Sequence, residues 1–171
     1  SGCLNLKEVE FEADSQLKTL SANLFSETGL TSITIGKNVT SIANAAFRDC
    51  VNLKTVEFEE GGTENLTIAN GSSSYGSTQA GDLADGSLSY GAFNGCIALE
   101  TIELPARLTS IGHYAFVFCE NLKSVTFEEG SKLTTIGAAA FYGCAFESFT
   151  IPAGVRSMAN GPSSSYDDYF G

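Results

Sequence analysis

Five cysteines, one histidine and twenty acidic side chains carry most of the reactive chemistry in this 171-residue sequence. A zinc site wants thiols or imidazoles in closely spaced pairs that converge on one ion. Cys3, Cys50, Cys96, Cys119 and Cys144 are each more than 20 residues apart, so no such pair exists. His113 stands alone, which leaves a base-assisted nucleophile little to build on. Ser15-Gln16-Leu17-Lys18 fits the Ser-x-x-Lys pattern of some acyl-transfer enzymes, but no supporting motif follows it. Glu59-Glu60, Glu128-Glu129 and Asp167-Asp168 are neighbours in sequence, whereas a glycosidase needs two carboxylates opposed across a bond. Asp82 and Asp85 beside Gly86 lack the alternating oxygens of an EF-hand loop. The expectation is a non-enzyme with no resident metal or cofactor.

Spacing explains the cysteines better than chemistry does. Leu6-Lys7-Glu8-Val9-Glu10-Phe11 returns at Leu30–Ile35, Leu53–Phe58, Leu99–Leu104, Leu122–Phe127 and Phe146–Ile151. The central residues 9, 33, 56, 102, 125 and 149 are separated by 24, 23, 46, 23 and 24. A second segment follows each, as in Val39-Thr40-Ser41-Ile42 and Leu108-Thr109-Ser110-Ile111. Next comes a Phe at 25, 47, 93, 116 or 141, and three residues later a Cys at 50, 96, 119 or 144, or Thr28. Thiols that share one register and once give way to Thr read as small, buried, free side chains. Ser1-Gly2-Cys3 is similar to the end of a bacterial lipoprotein signal. The same register recurs at Asn94-Gly95-Cys96 and Tyr142-Gly143-Cys144, so it is read as a repeat boundary.

Each segment has a physical role. Alternation and β-branched residues make the first segment a short strand, with Val9 and Phe11 turned inward and Glu10 turned to water. The second segment reads as another strand. Asn44–Cys50 suits one helical turn that buries Ala46, Phe47 and Cys50. No unit encloses its own apolar side chains, so stacked neighbours must close the core. The links alternate in length as well, long after Phe11, Phe58 and Phe127 and three residues after Ile35, Leu104 and Ile151.

Leu99 to Leu122 resembles the unit of the BspA-type leucine-rich repeat family, and Ile111-Gly112-His113-Tyr114-Ala115-Phe116-Val117-Phe118-Cys119 carries its most specific part. The resemblance implies a leucine-rich-repeat solenoid, mostly β with short helical turns. It would be a right-handed curved superhelix of about six to seven 23-residue repeats with a strand-lined concave face. It also implies an extracellular or cell-surface protein of bacteria or protists that adheres to other proteins.

One domain over residues 1–171 is expected, cut from a longer protein. Two features interrupt it. Ile68 and Phe93 lie 25 residues apart where five is usual, which places a loop insertion at 71–90. A second, shorter insertion or tail runs over 161–171, and Ala69-Asn70-Gly71-Ser72 is echoed there by Ala159-Asn160-Gly161-Pro162-Ser163. The net charge is −11 and the pI about 4.3, which argues against nucleic acid or an anionic membrane as partner. No apolar run approaches the ~20 residues of a membrane span. A protein partner, host or extracellular, is expected on a monomer, with a glycan as the weaker fit. Candidate contacts are the outward strand residues Glu10, Thr34, Glu57, Glu103, Thr126 and Thr150. The outward strand positions carry no aromatic ring. Tyr75, Tyr90, Tyr166 and Tyr169 on Ser/Gly-rich segments are the second set, since Tyr with Ser and Gly makes adaptable binding loops. The alternative is a structural spacer that presents another domain.

Overall fold

The computed structural model of the chain describes residues 1–71 and 91–158. Within them, the second segments form the continuous element. β1 (Thr19–Leu20), β3 (Ser41–Ile42), β5 (Leu66–Ile68), β7 (Leu108–Ile111), β9 (Thr135–Ile136) and β10 (Ser157–Met158) make one parallel ladder in that order. Six stacked strands amount to a β-solenoid of about five turns. The register keeps one apolar column, Leu20↔Ile42↔Ile68↔Ile111↔Ile136↔Met158. The segment that holds β5, Leu66-Thr67-Ile68, is one residue shorter than Val39–Ile42 or Leu108–Ile111, and a register shift at Leu66/Thr67 absorbs the deficit. Thr hydroxyls brace this ladder. Thr40, Thr67 and Thr134 each donate to the backbone carbonyl of the coil before, at 3.1–3.4 Å.

The first segments pair two by two, β2 (Ser32–Ile35) with β4 (Thr55–Phe58) and β6 (Thr101–Leu104) with β8 (Ser124–Phe127). Ile33 stands opposite Val56, and Ile102 opposite Val125. The gap between the two pairs falls at the coil that carries both the seven-residue link and the 71–90 interruption. Residues 6–11 and 146–151 stack at the two ends without ladder pairing of their own, although Thr31 N–H still reaches the Lys7 carbonyl at 3.1 Å.

The third segment differs from the sequence reading. It contains no helix. Ala46, Arg48 and Cys50 N–H each close a β-turn three residues back, at 3.1–3.3 Å. The N–H groups between them leave the coil, Phe47 to Ala92 O at 2.7 Å and Asp49 to Asn94 O at 2.8 Å. Ala45 and Asp49 take left-handed φ of 55° and 56°, which turns alternate donors outward. A helical turn would direct its donors along its own axis and tie the later ones internally, leaving no alternating set to bond the next coil. The inward placement stands, since Ala46, Phe47 and Cys50 are wholly buried.

Phe25, Phe47, Phe93, Phe116 and Phe141 form a stack, with ring centroids 5.0–5.4 Å apart. That interval is close to the ~4.8 Å between parallel strands, so one ring per coil fills the column. Phe93 therefore completes the coil that β5 begins. Gly71 and Gly91 also abut, as a Cβ added to Gly71 would lie 2.8 Å from Gly91 N. Residues 72–90 and 159–171, which carry Tyr75, Tyr90, Tyr166, Tyr169 and the body of both interruptions, lie outside the described residues.

Candidate binding face

Glu10, Thr34, Glu57, Glu103, Thr126 and Thr150 are all exposed. Thr34 lies opposite Glu57 and Glu103 opposite Thr126. Each is one residue beyond a buried or half-buried apolar position, and side chains alternate across a strand. The six thus share the outward side of the first-segment face. Its acidic members cluster towards the first four coils and its hydroxyls towards the last two.

Two hollows open on this face. One, of about 400 Å³, is lined by Val9, Glu10, Phe11, Thr34 and Glu59 among others. The other, of about 570 Å³, is lined by Thr126, Phe127, Ser148, Thr150 and Pro152 among others. They are repeats of one another. Phe11 and Phe127 hold the same repeat position, as do Thr34 and Thr150, on coils one–two and five–six. The rings were missed in the sequence, where the strand ends count as core. Phe11, Phe58 and Phe127 are half-buried, whereas Ile35 and Leu104 at the same position are fully buried. A large ring beside a smaller aliphatic side chain leaves a step, and the alternation of Phe with Ile or Leu is its sequence signal.

The acid pairs also have a role that solvated charge does not describe. Glu59 Oε2 accepts the Lys37 N–H at 3.0 Å, and Glu128 Oε2 accepts the Ala106 N–H at 2.9 Å. Each reaches from a long-link coil to the three-residue link of the coil before. The Lys37 N–H, with the Lys37 ammonium nearby, holds the Glu59 carboxyl below its ordinary value. Arg107 is buried and donates to Val39 O at 2.6 Å and, more weakly, to Gly36 O and Glu64 O at 3.4 Å. Burial lowers its pKa, and the Glu128 charge pushes the other way.

The thiols form a column. Cys50 Sγ donates to Phe25 O at 2.9 Å, Cys96 to Phe47 O at 3.2 Å, Cys119 to Phe93 O at 3.1 Å and Cys144 to Phe116 O at 3.3 Å. Thr28, at the Cys position of the first coil, donates from Oγ1 to the Phe25 carbonyl of its own coil at 2.8 Å, alongside Cys50. All five cysteines are free. Burial drives Cys96 and Cys119 well above the ordinary thiol value and Cys144 up to about 12, so the nucleophilic thiolate is withheld. With a disulfide-exchange reagent at neutral pH, exposed Cys3 should react first and the other four only as the protein unfolds. Rapid reaction of a second thiol in the native protein would contradict the column. His113 Nδ1 accepts the Ala138 N–H at 2.7 Å, a brace between coils. Among the described residues no three of His, Cys, Asp and Glu converge on a metal-sized site, and no helix is long and apolar enough to cross a membrane.

The stack, its Phe and Cys columns and its outward face are those of a known repeat. Residues 1–77 and 86–164 match the BspA type leucine rich repeat region, in six copies. The chain belongs to the BspA-type leucine-rich repeat family. Among solved structures, this BspA-type chain is similar to a leucine-rich repeat protein of Bacteroides ovatus, at 26% identity and TM-score 0.67, over 92% of this chain and 34% of that one. It is similar to the pneumococcal vaccine antigen PcpA at 28% identity and TM-score 0.66, over 83% of this chain and 32% of that one. A leucine rich cell surface protein of Faecalibacterium prausnitzii shares the fold at 23% identity and TM-score 0.50, over 86% of this chain and 40% of that one. The BspA-type chain spans about a third of the length of the first two. A comparison with curated proteins found no match.

Proposed function

We propose that these repeats are a non-catalytic binding module of a secreted or cell-surface protein, which takes a protein partner on the first-segment face. The observation that carries this reading is the pair of equivalent hollows, each with a half-buried Phe wall beneath an exposed hydroxyl or acidic rim. A partially buried ring beside open polar groups suits an anchoring side chain, because interface energy concentrates where an apolar anchor fills a pocket. Membership of the BspA-type family, and likeness to a pneumococcal vaccine antigen, support the surface location. The opposite sheet is a weaker candidate, since its Thr hydroxyls are already committed to backbone carbonyls.

The test is binding of the immobilised chain to a panel of host extracellular proteins. Thr34→Arg and Thr126→Arg crowd the two hollows and should weaken a captured partner by about tenfold or more. Thr67→Arg on the opposite sheet should leave it unchanged. Equal effects from all three variants would remove the face from consideration. A folded chain that binds nothing on the panel would favour the spacer role.

A further inference from the structure

The first-segment face is not closed evenly. Between coils two and three, Lys54 N–H reaches Thr31 O and Glu59 N–H reaches Ile35 O, each at 2.9 Å, at the two ends of the β2–β4 pairing. Between coils four and five, Lys123 N–H reaches Glu100 O at 2.9 Å and Glu128 N–H reaches Leu104 O at 3.0 Å, at the two ends of β6–β8. Coils three and four are neighbours in the middle of the stack, yet β4 and β6 share no ladder. Where Glu59 and Glu128 close their pairs, coil four has Pro105, which carries no N–H to give the Phe58 carbonyl. The facing edges of β4 and β6 therefore lack the regular pairing that the same strands make on their other edges.

The rest of this boundary is bonded. On the opposite side β5 pairs with β7. At the third segment, Phe93 N–H reaches Ala115 O at 2.8 Å, Gly95 N–H reaches Val117 O at 3.0 Å, and the Phe93 and Phe116 rings stack at 5.0 Å. At the link edge Arg107 of coil four donates to Glu64 O of coil three at 3.4 Å, which limits separation there. Two bodies joined along two sides and unpaired along the third have the form of a hinge.

Charge falls on the unpaired side. Within each paired set a Glu faces a Thr, Glu57 with Thr34 and Glu103 with Thr126. Across the unpaired boundary Glu57 and Glu103 hold the same repeat position, and both are exposed. Neither joins an ion pair among the described residues. Like charges opposite each other on neighbouring strands repel.

We propose that the stack is hinged between coils three and four. Coils one to three and four to six move as two bodies on the six-stranded ladder, and repulsion between Glu57 and Glu103 favours the opened form. The first-segment face widens at its middle while the opposite sheet keeps its length. The hinge does not depend on what binds that face, and a rigid stack could hold a partner there equally well.

Cross-linking of paired thiols traps the opened form. In a Cys3→Ser background, Thr55→Cys with Thr101→Cys spans the unpaired boundary, and Thr101→Cys with Ser124→Cys spans a paired one. A rigid bifunctional thiol reagent of about two strand spacings, ~10 Å, bridges a pair only when its strands have moved apart. The first pair should be bridged about tenfold faster than the second, as local opening is drawn from the least stable contacts. Adding Glu57→Lys, which turns repulsion into attraction, should slow the first pair by about threefold and leave the second unchanged. On the unaltered chain, hydrogen exchange at the Glu103 amide should be about a hundredfold faster than at Glu57 or Thr126. Equal bridging rates at the two boundaries overturn the hinge, as does a Glu103 amide as protected as the other two. A bridging rate indifferent to the charge at position 57 overturns the part assigned to repulsion.

Discussion

Phe93→Ala should lower the unfolding free energy by about 3–5 kcal/mol, the range for a buried Phe truncated in a core that cannot collapse. Phe93 has no exposed surface and stacks at 5.0 Å against both Phe47 and Phe116, with interplanar angles of 5° and 3°. The neighbouring rings are held by their own coils and cannot close the gap. Phe25→Ala provides the internal comparison. Phe25 is 8% exposed and stacks within this column on Phe47 alone, so about half the loss is expected. In a solenoid, stability is a sum of coils and nearest-neighbour interfaces, so a central defect weakens two interfaces at once. Urea unfolding followed by circular dichroism measures both variants. A loss at Phe93 no larger than at Phe25 would mean that the stack does not couple the coils.

The sequence reading succeeded where one residue type performs one geometric task in every coil. Val9, Ile33 and Val56, or Phe47, Phe93 and Phe116, recur at the same register because each coil must offer the same side chain to the same column. Periodicity exposes that directly, and it located Phe93 as the continuation of the coil begun at Leu66. Backbone hydrogen bonds carry no such signature. The apolar spacing of Ala46, Phe47 and Cys50 fits one helical turn and three overlapping β-turns equally well, and the choice is made by whether N–H groups bond inward or to the next coil. The candidate face was legible as a column from Glu10 to Thr150. Its hollows were not, because they arise from a size difference between Phe and Ile or Leu at a position counted as core. Glu59 and Glu128 were weighed in the sequence only as adjacent acids against paired-carboxylate chemistry. Their partners lie 22 residues away and are backbone N–H groups, which sequence does not distinguish.

Nothing in the repeat pattern singles out Arg107, and Arg107→Ala should cost about 2–4 kcal/mol, the scale for removing a buried, charge-assisted donor set. The seven-residue link between Phe58 and Leu66 is the longest of its kind in the chain. Arg107, from the following coil, passes along it to reach Val39 O and Gly36 O one coil further back and Glu64 O on the link itself. One side chain thus ties three coils at the link edge. Gly62 makes the passage, as a Cβ there would lie 2.6 Å from Arg107 Nε and 2.7 Å from Lys37 O. The guanidinium stays charged at working pH despite its lowered pKa, so its carbonyl partners lose an ionic donor on truncation. Two further variants separate packing from hydrogen bonding. Arg107→Met keeps much of the volume and no donor, so it should recover only part of the loss. Gly62→Ala should destabilise the wild type and do markedly less harm in the Arg107→Ala background, because one of its two close contacts has gone. If the two single losses simply add, the side chain does not run through the gap that Gly62 leaves.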